Sequence, residues 1–586
     1  MHQLLNELNK IYQKLPRFLQ FVVSEMWPIL ILLFAFVVEL AHIENSSWLQ
    51  FFLYYADSLT FPLVRESIAH KEPFLWVFSS QFGLFPEGLF YTVSSFFTHS
   101  VNASLVFNAT LNITSFYVLI RWAAGSFSKV SKHLHRVFAL GCSLLLILYM
   151  VLERQAYVNS RSIATLYLLT TYYYGMVISS AFLLCLTLVQ FNNLGSLKQS
   201  KKWLLVAIGF LVAALTAFSD PLFLVAYILP FLVVLVLVVI YGGLKVKQAL
   251  QIGLPQLLGA AIGYKLILHF KDFVGQTLGA HVSTQQIPAT LTVFHSSLSI
   301  AIHSKTGRLE LVLIFAVILF SLIYSIWWVY VKTHDNTRKL DSKLLMLCLF
   351  SITEPIFIIG FSIAIGSTVT RYLLPMIILP LFGLLPIMVS KLTQQLVDRF
   401  KNVLIGFAAA VAVIILVVGS LSWASATKLL SSTPYSDSAC LANTLHHQEA
   451  YGAGEYWTVR PLDVYDQPDE QAVQVNSSFS IYPWQYNVGA YNHTYSFVIV
   501  DTQPSLQGIT ASDPYLPAGP SKITSCGNMY IYQYAVNSPG YLQLNSDIHT
   551  SYEYVKQLRS EGKVAKYLAA CTFIIPGNKI SPLCKT

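Results

Sequence analysis

The hydrophobic positions of the chain fall into long apolar runs separated by short polar stretches. A run of about 17–25 apolar residues is long enough to cross a bilayer as a helix. A further stretch, 82–98, is interrupted by Gly83, Pro86 and Glu87, which predicts a re-entrant or interfacial segment. The other runs predict eleven transmembrane helices, at residues 25–42, 101–122, 137–152, 174–191, 203–219, 221–241, 250–269, 309–331, 344–366, 372–390 and 403–424.

The loops between these runs differ in charge, and the difference predicts an orientation. Loops such as "NNLGSLKQSKK" and "VKTHDNTRKLDSK" are rich in Lys and Arg, whereas "SDP" at 219–221 and "GSTVTR" at 366–371 are poorer. Because basic loops stay on the cytoplasmic side, the N-terminus is predicted to be cytoplasmic. The first large loop, 43–100, and everything after residue 424 are then predicted to be extracytoplasmic.

The sequence changes character after residue 424. Short alternating stretches such as "SFVIVDT" and "NMYIYQYAV" predict strands, and "IHTSYEYVKQLRSEGKV" predicts a helix. The predicted fold class is therefore a polytopic α-helical membrane protein with about eleven spans over residues 1–424. An extracytoplasmic α+β domain follows at 425–586.

Four cysteines lie in this last domain, where an oxidising compartment favours disulfides. They permit up to two disulfides, with three connectivities. We favour the pairs Cys440–Cys526 and Cys571–Cys584.

Composition agrees with a membrane protein. Only 11% of the residues are charged and 55% are hydrophobic, whereas soluble domains carry about 25% charged residues. The net charge of +9 is carried largely by the short loops, so a nucleic-acid partner is not expected. The sequence has no Walker A, HExxH or GxSxG motif, which argues against an ATP-driven pump or a membrane metalloprotease.

The predicted helix centres are almost free of charge, and the ionisable residues cluster at the predicted external ends. Taken alone, each is an ordinary polar residue of an external loop. The spacing of His281, His295 and His303 is not diagnostic of a metal site. The candidate functional residues on the external face are Asp57, Arg65, Glu87, Glu153, Asp220, Arg371 and Tyr372.

Two stretches resemble the GT-C integral membrane glycosyltransferases. One begins at Asp57, soon after the first helix, and continues through "FPEG", "LFYTVSSFFTHS" and a long helix that ends in "LIRW". The other is "TRYLLPMIILPLFGLLP" from Thr370. The sequence departs from the family pattern where "FPE" stands in place of a His-Pro-Pro run. It departs again near Ser100, where Phe-Gly is usual.

The resemblance implies a GT-C fold in a bacterial cytoplasmic membrane and a transferase that acts on the cell envelope. A sugar would pass from a polyprenyl-phosphate donor in the bilayer to an extracytoplasmic glycan, lipid or polymer. Asp57 would be the general base, and Arg371 would bind the leaving phosphate. Tyr372, Asp220, Glu87, Arg65 and Glu153 would bind substrate.

Other assignments remain open at this point. Asp220 and Glu87 are also suited to hold a divalent cation, so the cofactor is undetermined. The alternative functions are a non-catalytic membrane scaffold or binding protein and a lipid-linked glycan transporter. Aromatic residues of the external domain are candidates to stack on sugar rings, although a place in the domain core is the favoured interpretation: Tyr451, Tyr456, Trp457 and Trp484.

Overall fold

The computed structural model describes the chain from Pro16 to Cys571 with several internal gaps. The described ranges are 16–128, 130–153, 171, 174–192, 198–270, 273–274, 287–334, 341–365, 370–431, 436–445, 450–465, 470–502 and 509–571.

The first 431 residues of the chain form helices wherever the structure describes them in regular structure, apart from one short strand. That strand is β1 (Trp76–Val77). The helices are α1 (Arg17–Glu44), α2 (Trp48–Leu53), α3 (Thr60–Ala69), α4 (Leu89–Phe97), α5 (Val101–Gly125), α6 (Lys132–Leu152), α7 (Gly175–Asn192), α8 (Gln199–Ser219), α9 (Leu229–Ile240), α10 (Val246–Ile267), α11 (Ile287–His303), α12 (Lys305–His334), α13 (Ser342–Ala364), α14 (Leu374–Ile378), α15 (Leu385–Val389), α16 (Lys391–Arg399) and α17 (Lys401–Lys428).

Local sequence explains where several of these helices begin and break. Ser100 and Ser131 cap α5 and α6 by accepting hydrogen bonds from the backbone amides of Ala103 and Leu134, both at 3.2 Å. The stretch 370–389 contains three prolines, which cannot donate backbone hydrogen bonds. It is therefore divided into α14, α15 and two 3₁₀ turns, Thr370–Leu373 and Leu379–Leu384.

Within the described ranges, eight segments are long and apolar enough to cross a membrane, where the sequence predicted eleven spans. The difference lies at 174–191, 221–241 and 250–269. The first two contain shorter apolar helices, Gly175–Phe191 and Leu224–Ile240. The third contains α10, which is long but carries polar residues such as Lys247 and Gln251. The eight segments are Val23–Glu44, Val101–Gly125, Lys132–Leu152, Gln199–Ser219, Lys305–Lys332, Ser342–Ala364, Thr370–Val389 and Lys401–Lys428.

Helices α8 and α10 pack closely through small residues. Gly259 and Gly263 of α10 face the backbone of Phe210 and Ala214 of α8, and a Cβ atom on either glycine would overlap that backbone. Small residues spaced four apart allow this kind of approach between membrane helices.

The C-terminal region combines a mixed sheet with helices. It contains α18 (Ser436–Leu445), β2 (Ala450–Gly454), α19 (Tyr456–Tyr465), β3 (Glu470–Gln474), β4 (Tyr486–Asn487), β5 (Phe497–Asp501), β6 (Lys522–Cys526), β7 (Met529–Gln533), α20 (Pro539–Ser560) and α21 (Val564–Cys571). Five strands form a sheet in the order β3-β2-β5-β7-β6, with β2 parallel to both β3 and β5 and the other pairs antiparallel.

A disulfide joins Cys440 of α18 to Cys526 at the end of β6, which confirms the first favoured pair. The second favoured pair, Cys571–Cys584, lies outside the described residues, because only the backbone of Cys571 is described.

The C-terminal region docks on the first predicted external segment. Strand β1 pairs antiparallel with β4, with Trp76 opposite Asn487. The Asn487 side-chain amide donates to Ser67 Oγ at 3.1 Å and to Glu72 Oε2 at 2.9 Å. The contact between the two parts therefore includes paired backbone and buried polar side chains, and it holds α19 against the turn that carries Asp57.

Candidate functional site

Asp57 lies in a buried 3₁₀ turn, Ala56–Leu59, between α2 and α3. Its side chain is only 8% exposed, and a carboxylate at such a position needs partners. The hydroxyl of Tyr456 donates to its Oδ1 atom at 2.5 Å. Nη1 of Arg371 lies 3.7 Å from its Oδ2 atom. Each carboxylate oxygen thus faces a different part of the chain.

Arg371 occupies the 3₁₀ turn that opens the span Thr370–Val389. Its guanidinium carbon lies 5.6 Å from the ring centre of the neighbouring Tyr372. If Asp57 and Arg371 share a site, their charged groups must lie together, and the structure places them within ion-pair distance.

Asp220 directly follows α8, and its carboxyl group interacts electrostatically with Arg371. Its Oδ1 atom accepts hydrogen bonds from Gln81 Nε2 at 3.3 Å and from the Leu222 amide at 3.0 Å. Burial raises the pKa of Asp220 to about 6, while these hydrogen bonds and the positive charge of Arg371 act in the opposite direction. Arg371 therefore interacts with two carboxyl groups, those of Asp57 and Asp220.

Glu87 is the third acid of this group. The turn that carries it, Leu84–Gly88, is fixed to the end of α8 because the Phe85 amide donates to Ser219 Oγ at 2.9 Å. Gly83, which precedes the turn, has a φ of 61° that favours glycine.

The carboxyl group of Glu87 is buried against the start of α7. Its Oε1 atom accepts from the Gly175 amide at 2.8 Å, and Oε2 is buried without a hydrogen-bond partner in the described part of the chain. A Cβ atom at Gly175 would overlap this carboxyl group, so glycine is needed there. Burial raises the pKa of Glu87 to about 8, with a further increase from Asp220. Burial therefore favours the protonated form of Glu87.

An apolar groove of about 820 Å³ is lined by residues that are close to these acids along the chain. Phe61, Phe82, Gly88 and Phe218 line it, and each lies within four residues of Asp57, Gln81, Glu87 or Asp220. Arg65 of α3 also lines the groove, and its charge acts on the hydroxyl of Tyr91. Further aromatic side chains in the wall are Phe74, Phe78, Phe96, Phe270 and Phe273.

Glu153 directly follows α6, and its backbone carbonyl accepts a hydrogen bond from the Trp48 indole. Its carboxyl group interacts electrostatically with those of Glu39 and Glu310, two buried residues of membrane-spanning helices. The described contacts thus associate Glu153 with a second group of acids.

The C-terminal helix α19 supplies partners that the sequence did not predict. Tyr456 was considered only as a sugar-stacking or core aromatic, yet its hydroxyl reaches Asp57. Arg460, one turn further on, is fully buried. It donates to the Gln485 carbonyl at 2.8 Å and to Thr60 Oγ1 at 2.9 Å. The Tyr465 hydroxyl donates to the Leu53 carbonyl at 3.0 Å, so α19 contacts both ends of the Asp57 segment.

The acids do not form a recognisable metal centre. Asp220 and Glu87 interact electrostatically. Within the ranges that the structure describes, however, no group of three or more His, Cys, Asp or Glu residues could hold a metal ion.

Comparison of the sequence with protein-family models and with curated proteins finds no match. The spans establish a multi-pass helical membrane protein, for which a lipid bilayer is the expected surroundings. The Cys440–Cys526 disulfide is typical of an extracytoplasmic compartment, so the C-terminal region is best placed outside the cytoplasm.

Proposed function

We propose that this protein is a membrane glycosyltransferase of the GT-C type. It transfers a sugar from a polyprenyl-phosphate donor to a hydroxyl group of an extracytoplasmic acceptor. The observation that carries the proposal is the Asp57–Arg371 pair, because it joins a base to a phosphate-binding cation. An apolar groove whose lining includes Phe61, four residues after Asp57, offers a surface for a lipid.

Asp57 acts as the general base. Its carboxylate lies between the Tyr456 hydroxyl and Arg371, and it is the acid placed closest to the proposed phosphate-binding cation. The acceptor oxygen attacks the anomeric carbon and its proton passes to Asp57. The bond between that carbon and the phosphate oxygen breaks, and the phosphate leaves with the bonding electrons.

Arg371 stabilises the negative charge that develops on the leaving phosphate. A guanidinium suits this task because it stays protonated and presents several N–H donors in a fixed plane. The carboxyl group of Asp220 interacts electrostatically with the same guanidinium and helps to orient it.

The groove accommodates part of the isoprenoid tail of the donor. Its wall is dominated by phenylalanine side chains, and Arg65 adds a positive charge for the phosphate. The apolar wall matches the hydrocarbon tail of a lipid phosphate, and Arg65 matches its charged head. The groove is less suited to a water-soluble nucleotide sugar.

The experiment compares a deletion strain that carries the wild-type gene with strains that carry Asp57→Asn or Arg371→Gln. Asn keeps the size of Asp but cannot take up the proton. We expect a 10²–10³-fold loss of sugar transfer for each variant, as for the removal of one stabilising group from an active site. Unused lipid-linked sugar should accumulate in the membrane.

Asp341→Asn is the matched control, because Asp341 caps α13 on the opposite, predicted cytoplasmic face. All variants are compared at equal amounts of folded protein in the membrane. Full complementation by Asp57→Asn would exclude Asp57 as the base.

A further inference from the structure

A second groove lies at the other end of the membrane-spanning helices. It has a volume of about 610 Å³ and is formed mainly by the N-terminal halves of α8 and α10. The two helices run in the same direction, because the pairs Gly209–Gln256, Phe210–Gly259 and Ala214–Gly263 advance together along both. Their N-terminal ends therefore lie side by side, opposite the end of α8 that leads to Asp220.

The lining of this groove is divided into an apolar floor and a positive edge. Leu205, Val206 and Ile252 belong to the floor, and Lys202 and Lys247 line the groove near the two helix N-termini. None of the described lining residues is acidic. Two lysines and two helix N-termini produce a positive potential at the membrane surface, which attracts anionic groups.

One backbone carbonyl in the groove is suited to a ligand that carries a hydroxyl group. Pro255 has no N–H group to donate to the carbonyl of Gln251, and both residues line the groove.

We propose that this groove binds one anionic glycerophospholipid of the phosphatidylglycerol type. The lysines bind its phosphate, an acyl chain covers the apolar floor, and a glycerol hydroxyl donates to the Gln251 carbonyl. Inorganic phosphate would leave the floor uncovered, and a zwitterionic lipid would bring a second cation next to the lysines. This site is independent of the Asp57 site and of the activity proposed for it.

The test uses native mass spectrometry of the full-length protein, delipidated in detergent and titrated with phosphatidylglycerol. The variant K202Q/K247Q removes both lysines of the groove. The control K391Q/K401Q removes two exposed lysines that lie outside the groove, at the starts of α16 and α17. Because each lysine contributes about 1 kcal/mol to anionic lipid binding, loss of both weakens binding by about thirty-fold.

We expect wild type and control to retain one phosphatidylglycerol more tightly than phosphatidylcholine. Equal affinities in K202Q/K247Q and the control would overturn the proposal, as would equal retention of both lipids by the wild type. Displacement of phosphatidylglycerol by an equal concentration of polyprenyl phosphate would assign the groove to that lipid instead.

Trp203 provides a second readout that does not depend on the folding of the lysine variant. It lines the groove and is 64% exposed. Brominated phosphatidylglycerol should quench tryptophan fluorescence of the wild type more than brominated phosphatidylcholine does, and Trp203→Phe should abolish the difference. An unchanged difference in Trp203→Phe would place the bound lipid elsewhere.

Discussion

The hydrogen bond between Tyr456 and Asp57 offers the most direct test of how the C-terminal region contributes to the site. It is 2.5 Å long, and Tyr456 and Asp57 are 3% and 6% exposed. Tyr456→Phe removes the hydroxyl and keeps the ring, which packs against Trp457 and Tyr482. The substitution therefore removes one donor from a buried carboxylate with little change in apolar contact.

The free energy of this hydrogen bond depends on the charge of its acceptor, the Asp57 carboxylate. A hydrogen bond to a charged group contributes about 1.5–3 kcal/mol, and the Arg371 contact remains in the variant. If that free energy holds α19 in place, opening of the helix becomes about ten- to hundred-fold more frequent.

Hydrogen-exchange mass spectrometry of peptides that cover Tyr456–Tyr465 measures this opening. Tyr554→Phe is the control, since Tyr554 is half-buried and its hydroxyl makes no hydrogen bond in the described part of the chain. Equal exchange in the two variants would refute the idea that Asp57 anchors α19. A double-mutant cycle with Asp57→Asn then assigns the effect to this pair, provided that the coupling is about 1 kcal/mol or more.

Three further substitutions test other parts of the structure. The folded-state pKa of Glu87 is raised from 4.5 to about 8. The contribution of Glu87 to the free energy of unfolding is therefore present at low pH and is lost as the pH rises through this value. In unfolding titrations from pH 5 to 9, wild type should lose stability relative to Glu87→Gln. Parallel plots of unfolding free energy against pH for the two proteins would contradict this. Gly263→Leu should destabilise the α8–α10 contact by at least about 1–3 kcal/mol, visible as earlier thermal unfolding in detergent. Cys440→Ala should destabilise the C-terminal region by about 2–5 kcal/mol, whereas Cys348→Ala, at a buried free cysteine, should leave that region unchanged.

The helices could be predicted from sequence more readily than the site. Apolar runs report the length that crosses a bilayer, so each predicted run overlaps an observed helix. The number of membrane spans was harder to predict, because segments such as Leu224–Ile240 are short and depend on their neighbours for burial. The Cys440–Cys526 pair was recoverable because few cysteines lie outside the apolar runs.

Side-chain partners across distant parts of the chain left little trace in the sequence. Asp57, Arg371, Asp220 and Glu87 were identified as ionisable residues near predicted helix ends. Tyr456 was one aromatic among many, and neither its hydrogen bond nor the role of Gln81 beside Asp220 has a local pattern. Such contacts are set by how β1 pairs with β4 and how α19 docks, which are tertiary events.

The cost of burying Asp57 is an argument that the arrangement serves more than stability. A buried carboxylate and its ion partner are often no more stable than apolar residues of similar volume. Here the acid is held by a hydroxyl from the C-terminal region and a guanidinium from the last third of the membrane part, so neither contact forms by local folding. Two more buried acids are linked to this pair, since Asp220 interacts electrostatically with Arg371 and Glu87 with Asp220. Burial raises the pKa of both, because it disfavours their charged forms. Local conflicts of this kind are expected where a protein gives up stability for function. The buried carboxylate of Asp57 has both of these partners only when the C-terminal region is docked on the membrane part. The C-terminal region is therefore a structural component of the site.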